Sequence, residues 1–107
     1  MTVMDLNSNC YVVAVDNTSK AATLTAADIL QTSWVIYNNS TLPVFVVSGV
    51  TQPTAVFPTS ASVPVAGKVI GAGMMATFKK SNNHAFISAI QLAAGTGNLY
   101  ISPGSGD

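Results

Sequence analysis

One histidine, one cysteine, four aspartates and four lysines are nearly all that this 107-residue chain holds for ionic or nucleophilic chemistry; it has no Glu and no Arg. His84 stands in Ser81-Asn82-Asn83-His84, and a Ser-His-Asp set can be drawn on paper from Asp28, His84 and one of many serines. No Gly-x-Ser-x-Gly elbow accompanies it, so the residues argue against catalysis. One His and four scattered Asp do not make the three or four convergent ligands of a metal site, and neither a metal nor another cofactor is expected. The pairs Gly71-Ala72-Gly73, Gly95-Thr96-Gly97 and Gly104-Ser105-Gly106 have the look of phosphate loops. None opens a helix in a βαβ unit and no Gly-Lys-Ser/Thr follows, so they read as tight turns. Cys10 excludes an internal disulfide. Because it opens the apolar run Cys10–Val15, it is expected to be a small buried hydrophobe. Lys79-Lys80 with His84 is the only basic cluster and reads as a solvated hairpin tip.

At 7% charged, the chain sits far below the roughly 25% of an ordinary soluble domain. The surface must then consist mostly of Ser, Thr, Asn and Ala, which suits a protein packed against neighbours. Net charge is zero, so no global field recruits nucleic acid or an anionic membrane. Neither does charge keep free copies apart. No apolar run reaches the ~18 residues of a membrane-spanning helix. Met1-Thr2-Val3-Met4-Asp5 lacks a basic region followed by an apolar stretch, so no signal peptide is expected.

The elements that must carry this surface are strands. Val, Ile, Phe, Tyr and Thr dominate Cys10–Val15, Ser33–Tyr37, Val44–Ser48, Thr54–Phe57, Val69–Ile70, Met74–Phe78, Ala85–Leu92 and Asn98–Ser102. Turn residues separate these runs, a rhythm that predicts an all-β, single-domain sandwich or small barrel over residues 10–107. Residues 1–9 read as an N-terminal arm whose apolar Val3 and Leu6 dock on a neighbour. Thr25-Ala26-Ala27-Asp28 has the form of a helix start, and one turn of helix or a loop are both open there. In Ala85–Ala93 apolar residues recur at helical spacing, but the preceding turn and the strand-like Met74–Phe78 favour a strand.

Several runs are apolar on both faces. Trp34 and Ile36 point one way and Val35 and Tyr37 the other, whereas a strand buried on one side alternates apolar with polar. An outer face must therefore be covered, by the arm or by another subunit. Tyr100 alternates against Leu99 and Ile101 and belongs at an interface or near the surface.

The stretch Val35-Ile36-Tyr37-Asn38-Asn39-Ser40-Thr41-Leu42-Pro43-Val44-Phe45-Val46-Val47-Ser48-Gly49 resembles small virion proteins of tailed bacteriophages. So does the closing Gly95-Thr96-Gly97-Asn98-Leu99-Tyr100-Ile101-Ser102-Pro103-Gly104. The proteins in question are capsid cement or decoration proteins and related short head and tail accessory proteins. The likeness covers about residues 30–107 and is one of size, flavour and ending; no diagnostic motif carries it. It implies a β-sandwich or jelly-roll on the outside of the capsid, made in the host cytoplasm, with the major capsid protein as partner. It also implies a homo-oligomer, trimer or dimer, and it brings no catalytic residue.

The expected interface residues are Val3, Leu6, Tyr37, Tyr100 and Ile101, the last through a Leu99–Ser102 edge that adds to a partner sheet. Deleting residues 1–9 is expected to weaken attachment without unfolding the β domain. A rival reading is a carbohydrate-binding module, with Tyr37, Asn38 and Asn39 as its nucleus.

Overall fold

The computed structural model describes residues 9–59, 63–95 and 97–104. Val3 and Leu6, and with them nearly all of the expected arm, lie outside the described residues. The elements are β1 (Tyr11–Ala14), β2 (Lys20–Thr23), α1 (Ala26–Ile29), β3 (Ser33–Ser40), β4 (Val44–Gly49), β5 (Lys68–Ile70), β6 (Met75–Lys79), β7 (Phe86–Ile90) and β8 (Gly97–Gly104). They form two four-stranded sheets, ordered β1-β8-β3-β6 and β2-β7-β4-β5, with every pairing antiparallel. The pairs β1–β8, β2–β7, β3–β6 and β4–β5 are those of one long hairpin rolled over on itself. This is the eight-stranded jelly roll, the more specific of the two expected architectures.

Period-two alternation decides what faces inward. Trp34, Ile36 and Asn38 of β3, Leu99 and Ile101 of β8, and Val13 of β1 meet Val44 and Val46 of β4, Ile87 and Ala89 of β7, and Ala22 of β2. Pro103 is tolerated in β8 because it lies past the last β1 partner, Tyr11↔Ile101, where β8 has a single neighbour. The edge strands β1, β2, β5 and β6 have three to five residues each, which limits their use as pairing templates.

Buried polar groups fasten the ends. Asn38 Nδ2 donates to the carbonyls of Leu42 and Ile70, each at 3.0 Å, and of Gly71 at 3.2 Å. Ser40 Oγ donates in turn to Asn38 Oδ1. One side chain thus ties the β3–β4 turn to the chain leaving β5. At the opposite end α1 is a single turn, and Asp28 Oδ2 accepts from Tyr11 Oη at 2.5 Å, Asn9 Nδ2 at 2.9 Å and Thr25 Oγ1 at 3.1 Å. Burial pushes the Asp28 carboxyl upward, but these donors together outweigh it and hold the group below the ordinary carboxylate range.

Three expectations are corrected, and one strand appears that the residue pattern does not announce. Thr54–Phe57 is not a strand: Pro53 and Pro58 flank it, and the Ala55 N–H is taken by Ser19 Oγ at 2.9 Å. Lys20–Thr23 is a strand despite low intrinsic preference, because the small Ala22 fits opposite Ile87. Cys10 is exposed, since it precedes β1 and stands outside the ladder. Lys80 is only 2% exposed: its Nζ donates to the Ile29 carbonyl at 2.6 Å and the Ser81 carbonyl at 3.1 Å, and lies 5.3 Å from the Trp34 ring centroid. Only Lys79 of the pair faces solvent.

Candidate functional site

The two sheets differ in what covers their outer faces. On the second sheet, Phe45, Ser88 and Val47 point away from the core, and the chain after β4 lies over them. Ser88 Oγ donates to the Pro53 carbonyl at 2.5 Å, Ala55 is buried, and the Phe57 ring sits 6.1 Å from that of Phe45. Gly67, at φ +136°, closes this cover; a Cβ there would meet the Phe45 ring at 2.4 Å and the Val46 carbonyl at 2.5 Å. The two-sided apolar character of β4 is therefore satisfied within the chain itself.

No described segment covers the first sheet in this way. Its outer face presents a straight row across all four strands: Tyr100 lies opposite both Val12 and Tyr37, and Tyr37 lies opposite Met75. Three inter-strand spacings make the row about 14 Å wide. The two tyrosine rings at its centre stack at 6.3 Å with 17° between their planes. The aliphatic ends stand in solvent, Val12 at 57% and Met75 at 64% exposure. The rows on either side are Ser102, Val35 and Thr77, and Asn98 with Asn39. Lys79 is the only charged residue in the four strands of this sheet. Covering Val12 and Met75 contributes about 1–2 kcal/mol each, because an exposed side chain of this size gains roughly 1.5–3 kcal/mol on full burial.

Two of the expected interface residues, Tyr37 and Tyr100, meet here. Ile101 does not: it is 0% exposed and sits inside, as its alternation with Tyr100 requires. The proposed Leu99–Ser102 edge is likewise corrected, since β8 is flanked by β1 and β3 and has no free side over those residues except at its end. Val12 and Met75 escaped sequence reasoning. What identifies them is the register that places them in line with the tyrosines, and register is a long-range property.

The candidate groups for chemistry are dispersed. Ser48 Oγ and His84 Nδ1 lie 2.7 Å apart, joining the end of β4 to the turn before β7. Asp28 is engaged by Tyr11, Asn9 and Thr25 instead, so the paper triad is not assembled. Among the described residues no group of three or more His, Cys, Asp or Glu converges on a metal position. No helix among them is long and apolar enough to cross a membrane.

A concave feature lies between the sheets on the side where β5 and β6 are the edges. Because β5 pairs only with Val44–Val46, the rest of β4 runs past it, and a cavity of about 370 Å³ opens between Val47-Ser48 and Phe78-Lys79. Trp34, Ile36, Val46 and Ile87 form its apolar wall, and Lys68 and Lys79 contribute its only charges. Trp34 is 2% exposed and its Nε1–H has no acceptor among the described residues, whereas a buried donor left unpaired costs about 1–3 kcal/mol.

Comparison with protein-family models, curated proteins and solved structures finds no match to the chain. The class of the molecule is accordingly fixed by its own geometry: an antiparallel jelly-roll domain in which the chain's own loop lies over β4 and β7 of one sheet and no described segment lies over the other.

Proposed function

We propose that this chain is a structural virion protein that binds the outside of a phage capsid and stabilises it by bridging major capsid subunits. The outer face of the β1-β8-β3-β6 sheet is the docking surface, and copies associate as dimers or trimers. One observation carries this reading: the Val12–Tyr100–Tyr37–Met75 row runs across four strands with no described segment over it, in a chain whose own loop lies over β4 and β7 of the other sheet. Aromatic and Met side chains with few charges are the composition of interface centres. Small contacts of this kind hold collectively when one oligomer engages several sites at once. The jelly roll agrees with the reading, but a fold alone does not assign a function.

The experiment is co-sedimentation of the purified chain with empty shells assembled from the proposed partner, a tailed-phage major capsid protein. The chain is expected to pellet with shells at a fixed ratio and to raise the temperature at which they break. A chain that stays in the supernatant at micromolar shell subunit concentration would overturn the proposal.

A second reading, a carbohydrate-binding module, draws on the same face. Asn39 and Asn98 stand opposite each other beside the stacked tyrosines, while Asn38, the amide first paired with Tyr37, is buried in its backbone contacts. Stacking platforms flanked by amides suit sugars. A glycan array is expected to stay blank, and a glycan whose binding disappears in Tyr37→Ala would favour this second reading instead.

A further inference from the structure

We propose that the cavity between β4 and β6 is a binding site for a small amphipathic carboxylate of the medium-chain fatty-acid type. Two independent features of the wall define the ligand. The wall is apolar, formed by Ile36, Val46, Phe78 and Ile87, so the body of the ligand is hydrocarbon. Its only ionic residues are Lys68 and Lys79, both exposed and both cationic, so the head is an anion. At about 370 Å³ the cavity lies near the small end of ligand sites, about 300–1,000 Å³, which suits one short chain and excludes a two-chain lipid.

The site does not depend on the docking reading, because the cavity opens at the sheet edges while the tyrosine row faces outward from the first sheet. A bound chain would fill the gap between the sheets and stiffen the side of the sandwich where β5 and β4 part.

Trp34 is the sole tryptophan and reports on its own cavity. The test is titration of the full chain with sodium decanoate, read by indole fluorescence and by isothermal calorimetry, with decanol and acetate as comparison ligands. The expected result is a saturable emission change with decanoate and a rise in unfolding temperature. Decanol and acetate are expected to bind at least about tenfold more weakly. The double variant Lys68→Ser with Lys79→Ser, at exposed positions, is expected to lose about tenfold in affinity while keeping its fold. Three results would each overturn the proposal: no saturable change up to about 1 mM decanoate, decanol binding as well as decanoate, or an unaltered double variant.

Discussion

Asp28 and Asn38 show how a chain with so little charge spends its polar side chains. Each is buried and accepts or donates several bonds at once, one pinning α1 to β1 and the other pinning two turns at the opposite end of the sandwich. The folded pKa of Asp28 is depressed relative to the unfolded chain, so its contribution is complete above the unfolded value near 4 and is lost as pH falls through the folded value. Stability followed by denaturant unfolding is expected to fall as pH drops below about 4 in the wild type and to flatten in Asp28→Asn. An equally steep fall in the variant would show that another group sets the acid limit. Asn38→Ala removes the side-chain donor shared by the Leu42, Ile70 and Gly71 carbonyls and is expected to cost about 1–3 kcal/mol by chemical denaturation. Neither role is legible in the sequence, where Asp28 reads as the acid of a helix start and Asn38 as a turn residue. Lys80 escapes notice for the same reason: its neighbour Lys79 is solvated, and only the packing of α1 against the end of β6 separates the two.

At the scale of elements, strand identity followed from side-chain type while strand placement did not. Seven of the eight runs rich in β-branched and aromatic residues are strands, because such side chains fill a pleated surface wherever it lies. Lys20–Thr23 was missed since its small residues are selected by the space opposite Ile87, which no local pattern records. The two-sided apolar character of β3 and β4 was readable, but it has two different answers: a loop covers β4 and no described segment covers β3. Choosing between them requires knowing which strands share a sheet. The β3–β8 register itself depends on Gly97, at φ +131°, where a Cβ would meet the Asn39 carbonyl at 2.4 Å. Gly97→Ala is expected to lower stability by about 1–3 kcal/mol in thermal unfolding. A neutral result would mean that the turn before β8 can relax without disturbing the ladder.

For the whole molecule, the governing property is a surface of few charges with one sheet that no described segment covers. Affinity through such a face comes from apolar burial, so association with shells is expected to change less than about threefold between dilute and half-molar salt. A steep loss with salt would point to Lys79 and other cations as the real contact. The central claim is that the Val12–Tyr100–Tyr37–Met75 row does the docking. Its most direct measurement compares shell co-sedimentation of the wild type with that of the double variant Tyr37→Lys, Met75→Lys, after circular dichroism has shown both to be folded. The account predicts that the folded variant stays in the supernatant while the wild type pellets; a variant that pellets with shells as fully as the wild type would contradict it.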